Sequence, residues 1–101
     1  MTDFEKKVYE LVSRVPEGMV TTYGDIARAL GNRRMCRAVG NALHKNPYDG
    51  IVPCHRVVNS QGRLADAFVF GGHHEQKARL EREHVEVVDL HVDLEVYRYI
   101  F

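Results

Sequence analysis

A change of period at Asn46 and Pro47 limits the folds open to this chain more than any other feature. Before it, apolar residues recur at helical spacing; after it they come in β-branched pairs and short alternating runs, so helices lead and strands follow. "DFEKKVYELVSRV" sets Phe4, Val8, Leu11, Val12 and Val15 on one helical face, with Thr2 or Asp3 as N-cap and "PEG" as the stop. "VTTYGDIARALG" offers a threonine N-cap, a face of Ile26, Ala27 and Leu30, and Gly31 as terminator. After a tight connection at Gly31 and Asn32, "RRMCRAVGNALHKN" turns Met35, Val39, Ala42 and Leu43 inward. This helix is expected to end near Asn46 and Pro47, because a proline disfavours helical backbone in the residue before it. Two short helices joined at a glycine, the second carrying the positive charge, predict a helix-turn-helix.

Beyond Pro47, "IVPCHRVVNSQGRL" predicts a short strand pair, or a strand followed by a wing-like loop, with a turn at "NSQG". Residues 65–72, "ADAFVFGG", are apolar and end in glycine, and "HEQKARLEREH" predicts a short polar helix with Ala78, Leu80 and Val85 inward. In the tail "VEVVDLHVDLEVYRYIF", Val88, Leu90, Val92, Leu94 and Val96 share one parity, which predicts a terminal strand or hairpin. A length of 101 residues leaves room for one core. The expectation is one α+β domain, mainly α, over residues 1–101: a winged helix or helix-turn-helix with short strands.

Composition excludes several classes. With 45% hydrophobic and 28% charged residues the chain is not a disordered one. Its first residues, charged from Asp3, resemble neither a signal peptide nor a membrane span, so no membrane partner and a cytoplasmic or nuclear location are expected. Cys36 and Cys54 are too few for a disulfide framework and are read as free thiols. Net charge is zero but unevenly spread: Arg33, Arg34, Arg37 and Lys45 lie between Gly31 and Asn46 with no acid among them. One local face is therefore positive on a neutral protein. His73 and His74 are paired, but no second cluster stands at ligand spacing, so no metal is expected.

The chemistry concentrates in "IVPCHRVV". A cysteine is nucleophilic as thiolate, and an ordinary thiol with a pKa of about 8.5 is mostly protonated at neutral pH, so a histidine or cation nearby matters. Neighbours on an extended chain point to opposite faces, so His55 need not touch Cys54. Taken alone, the pair also fits a small buried thiol beside an unrelated histidine.

The combination "VPEGMVTTYGDIARALG", "CRAVGNALHKNP" and "IVPCHRVVNSQGRL", from about Val15 to Glu83, resembles in order and spacing the active-site domain of the O6-alkylguanine-DNA alkyltransferases. The resemblance implies a protein that enters the minor groove of double-stranded DNA, flips out an alkylated guanine and moves the alkyl group irreversibly to cysteine, with no metal or organic cofactor. It makes Cys54 the acceptor, His55 its base through a water, and Glu83 the group that orients His55. Tyr23 would hydrogen-bond the flipped base, Arg37 would fill the gap left in the duplex, Asn46 would brace the turn before the site, and Arg56 completes the motif. Arg33, Arg34 and Lys45 would contact phosphates. The absence of an N-terminal domain, the long "GRLADAFVFGGHHEQK" loop and the tail "VDLEVYRY" are closer to the alkyltransferase-like proteins. Those relatives bind alkylated guanine without transfer, carry tryptophan or alanine at the cysteine position, and hand the lesion to nucleotide excision repair. His84 stands where the family has glycine, and pocket size is expected to depend on Phe68 and Phe70. A monomer is expected.

Overall fold

The computed structural model describes residues 1–101. Helix α1, Asp3–Ser13, opens on a capping box in which the Thr2 hydroxyl accepts from the Glu5 amide while the Glu5 carboxylate accepts from the Thr2 amide. Strand β1 is only Thr21–Thr22, and Thr22 is at once its end and the N-cap of α2, Tyr23–Ala29, accepting from the Asp25 amide at 3.0 Å. Helix α2 ends in a Schellman arrangement: the Asn32 amide donates to Ala27 O, the Gly31 amide to Arg28 O, and Gly31 has φ 93°. The chain then takes a 3₁₀ turn, Arg33–Met35, before α3, Cys36–His44, so the expected third helix is α-helical only from Cys36.

Helices α1, α2 and α3 enclose a core of Val8, Leu11, Val12, Ile26, Ala27, Val39, Ala42 and Leu43, with the Tyr9 hydroxyl donating to Ala42 O at 2.6 Å. The predicted inward residues of these three helices are buried, except that Phe4, Leu30 and Met35 are only partly so.

The second half departs from expectation in four places. Cys54–Arg56 forms a 3₁₀ turn rather than the start of a strand. Strand β2, Val57–Val58, pairs in parallel with β1, Thr21 opposite Val57 and Thr22 opposite Val58, rather than with a neighbour across the "NSQG" turn. That turn does form: the Asn59 carboxamide oxygen accepts from the Gln61 and Arg63 amides. In it Gly62 has φ 82° and meets the Val92 carbonyl so closely that no Cβ would fit.

Helix α4, Gly72–Arg82, buries Leu80 and, beyond its end, Val85, but Gln76 takes the inward place expected of Ala78. The tail is not a strand. Val88 and Val96 are 58% and 64% exposed, and the alternation is broken by a two-residue turn with Asp89 at φ 50° and Leu90 at φ 61°. Val88 and His91 exchange both backbone hydrogen bonds across it, a minimal hairpin of the kind positive φ values permit. A short helix α5, Leu94–Tyr97, follows. The chain then runs beside β1, where the Val20 amide donates to Tyr97 O and the Tyr99 amide to Val20 O. Arg98 locks this return with a two-pronged ion pair to the buried Asp25 on α2. Val20, Val58, Leu64, Leu80, Val85, Val87 and Val92 form a second core beneath it. No helix is long and apolar enough to cross a membrane.

Candidate functional site

The 3₁₀ turn at Cys54 decides the geometry of the site. It sends the thiol into an apolar pocket of about 330 Å³ and the neighbouring imidazole into a separate polar cleft. The pocket lies between α3 and the 65–69 segment, and its walls include Tyr23, Leu43, Val57, Ala65, Phe68 and Val69. Tyr23 is there because the Thr22 cap makes it the first residue of α2. Cys54 is 6% exposed, and burial raises its thiol pKa above the ordinary value; the Asn46 amide and the Arg79 charge oppose this without cancelling it. Burial, with a smaller contribution from Cys54, also raises Tyr23, so its phenol remains a hydrogen-bond donor at neutral pH.

On the cleft side, His55 Nε2 lies 2.9 Å from Glu83 Oε2. Burial would raise the Glu83 carboxyl, but hydrogen bonds from Arg56 and His55 outweigh it and the pKa ends below the usual value. His55 is lowered, burial outweighing the favourable Glu83 contact. Near neutral pH the pair is therefore imidazole and carboxylate. A carboxylate only accepts, so the proton must sit on Nε2 and the lone pair on Nδ1. The result is a base with a fixed tautomer.

Glu83 is held by local structure. It is the C-cap of α4, and His84 after it adopts φ 67° in a Schellman ending, its amide donating to Glu81 O and the Val85 amide to Leu80 O. Arg56 approaches the same carboxylate with two nitrogens, Nε to Oε1 at 2.9 Å and Nη2 to Oε2 at 2.7 Å, and donates through Nη1 to Val15 O at 2.8 Å. Arg56, expected among the DNA-binding residues, makes all three contacts inside the protein and lines the wall of the cleft.

Asn46 is 2% exposed, donating to Val52 O at 3.3 Å and accepting from the Tyr48 amide at 2.9 Å, so it spans the turn that leads to Cys54. Arg33 and Arg34 precede α3 and Lys45 follows it, all exposed. Arg37 is exposed on α3 itself, on one stripe with Asn41 and His44, which line the mouth of the pocket.

Sequence reasoning missed Asn41, His44 and above all Gln76. The last is fully buried, its Nε2 donating to Val57 O at 2.9 Å and His55 O at 3.2 Å while its Oε1 accepts from the Ala65 amide at 2.8 Å. A glutamine in a polar helix carries no signal that it faces inward; only its partners reveal it. The structure gathers no group of three or more histidine, cysteine or acidic side chains that would hold a metal ion.

Residues 3–85 match the model of a family described as the 6-O-methylguanine DNA methyltransferase, DNA binding domain. The chain is 44% identical to Alkyltransferase-like protein 1 of Schizosaccharomyces pombe over 88 residues, 86% of this chain and 81% of that protein. It is 48% identical over 87 residues to a methylated-DNA--protein-cysteine methyltransferase of Thermococcus kodakarensis, 85% of this chain but only 47% of that protein. Among solved structures, S. pombe Atl1 in complex with damaged DNA containing O6-carboxymethylguanine superposes with a TM-score of 0.88 at 38% identity, over 98% of this chain and 96% of that one.

Proposed function

This chain belongs to the family of the 6-O-methylguanine DNA methyltransferase DNA-binding domain, and we propose that it is a DNA-repair protein that flips an O6-alkylated guanine out of the duplex and takes the alkyl group once onto Cys54. The observation that carries this reading is the division at the 3₁₀ turn: a thiol at the wall of a base-sized apolar pocket, and beside it a histidine whose tautomer Glu83 fixes.

In this reading the whole chain works as one unit on double-stranded DNA, as a monomer, in the nucleoid or nucleus. Arg33, Arg34 and Lys45 meet phosphates, and Arg37 fills the space vacated by the base, offsetting part of the few kcal/mol of unstacking. The Cys54 proton passes through a water to His55 Nδ1 as sulfur attacks the alkyl carbon. The S–C bond forms as the C–O6 bond breaks, and the electron pair stays on the base, where Tyr23 donates a hydrogen bond. The thioether product is stable, so each molecule acts once. No metal or organic cofactor enters the displacement.

Two observations favour a second reading. The likeness to Atl1 spans nearly the whole of both chains, and burial holds the Cys54 thiol protonated, which suits lesion binding without transfer and delivery to nucleotide excision repair. Intact mass after incubation with a duplex containing O6-methylguanine separates the two. A gain of one methyl on the Cys54 peptide supports transfer. Lesion-selective binding with no mass gain rejects transfer and supports the second reading, and selective binding to an undamaged operator sequence overturns both.

A further inference from the structure

Arg79 enters the chemistry above only through its charge near Cys54, yet its guanidinium is engaged on every side beside the pocket. Nη1 donates to Asp49 Oδ1 at 2.7 Å and Nε to Glu75 Oε1 at 3.1 Å. The guanidinium carbon lies 5.4 Å from the centre of the Phe68 ring and 5.5 Å from that of Phe70, two rings that meet edge to face at 5.9 Å. The Glu75 contact is an ordinary i,i+4 pair on α4.

The other contacts join two parts of the chain that share the core but no backbone hydrogen bond. Asp49 sits in the turn between Asn46 and Cys54, and Phe68 is a wall of the Cys54 pocket. Neither the turn nor the 65–71 segment contains a helix or strand, so side chains fix their spacing. A guanidinium suits this place because its plane can meet a carboxylate at its edge and aromatic rings at its face, which a lysine does less well. Since Asp49 is 53% exposed, the ion pair is screened and adds little to stability; what it supplies is placement.

We infer that Arg79 is a positioning residue that sets the width of the pocket over Cys54, and so selects among O6 substituents, by pinning Phe68 to the turn that carries Asp49. The inference rests on the reading in which an alkylated guanine enters this pocket. A pinned ring packs against a small substituent; a released ring makes room for a large one and loses contact with the small one.

The test uses the full chain and three variants. Arg79→Met keeps an apolar stem against the rings without charge, Arg79→Lys keeps the charge without the fork, and Asp49→Asn removes the anchor. Duplexes carrying O6-methylguanine or O6-benzylguanine are compared by anisotropy for affinity and by intact mass for transfer, with thermal melts as the folding control. Arg79→Met should shift the benzyl-to-methyl preference toward benzyl by about tenfold, the scale on which apolar pockets discriminate by size. Asp49→Asn should move it the same way by less, and Arg79→Lys should restore part of it. A merely structural residue would lower both substrates together. An unchanged ratio in the folded variants overturns the inference. Because affinity is read apart from transfer, a wild-type protein that binds without reacting overturns transfer to Cys54 and still tests Arg79; one that ignores both lesions overturns the pocket reading and this inference with it.

Discussion

Cys54 and His55 are neighbours in the chain but lie in different solvents. The thiol faces an apolar pocket whose burial raises its pKa; the imidazole faces a polar cleft shared with Arg56, Glu83, Arg79 and Asp49. A single side would serve neither: a dry site suits a flipped base and an attacking sulfur, while a carboxylate that fixes a tautomer needs cations and hydrogen bonds to stay ionised. The 3₁₀ turn separates the two requirements within one residue, and Gln76 holds the partition by binding the carbonyls of His55 and Val57 on one side and the Ala65 amide on the other.

Removing the reactive group from the pocket side should have the largest effect. Cys54→Ala should abolish methyl transfer in the intact-mass assay while lesion affinity, measured by anisotropy, stays within a few fold; loss of binding as well would mean that the thiol shapes the pocket rather than reacting in it.

On the cleft side, Glu83→Gln leaves the partly buried Arg56 guanidinium without its carboxylate and frees the His55 tautomer. Side-chain exposures of 11% and 15% leave Glu83 and Arg56 largely but not fully shielded, so the loss in urea unfolding is expected at the low end for breaking a desolvated pair, about 3 kcal/mol. Transfer should fall about a hundredfold, the usual contribution of a positioned base.

Cutting the partition should cost less. Gln76→Leu preserves volume but leaves two carbonyls and one amide without a partner, for a loss of about 2 kcal/mol in the same unfolding experiment.

Acidity probes both sides at once. His55 binds its proton less readily when folded, so the unfolded chain takes up more protons below the ordinary value of 6.5, and stability should start to fall as pH drops through it. Glu83 and Asp25 have lowered values, so their contribution is present above the ordinary carboxylate range and is lost as pH falls through their folded values. At the alkaline end, Cys54 keeps its proton longer when folded, so stability should fall again above the ordinary thiol value of about 8.5. Melting temperatures across the range should trace this dome, and a flat acid limb would contradict the cleft as described.

The smallest expected change is a gain. His84 occupies a left-handed conformation at φ 67° that glycine adopts freely, so His84→Gly should stabilise the protein by about 1 kcal/mol in thermal unfolding without moving Glu83.

The helical half was legible in the sequence because its determinants are local. A capping box at Thr2 and Glu5, a threonine cap before Tyr23, a glycine in the left-handed region at position 31 and a proline after Asn46 each act within a few residues, and the apolar period does the rest. The second half was less so. The tail alternates in sequence, yet the strand is replaced by a tight turn at Asp89 and Leu90 because Arg98 and the residues beside it are captured by Asp25 and Val20, more than seventy positions away. β2, expected to pair across its own turn or to lead into a wing-like loop, pairs with Thr21 and Thr22, a pairing no window of sequence contains.

The site divides the same way. Sequence alone determined that a cysteine, a histidine and an arginine stand together after a proline, and that a helix-turn-helix with a basic second helix precedes them, since identity and short-range periodicity are properties of the chain. Only tertiary structure decided that the cysteine and histidine part at a 3₁₀ turn, that Arg56 turns inward to Glu83, and that Gln76 and Arg79 hold the pocket's edges. The contacts of Arg56, Gln76 and Arg79 each depend on a hydrogen bond or ion pair between distant segments, and such contacts acquire a geometry only when the cores bring the segments together.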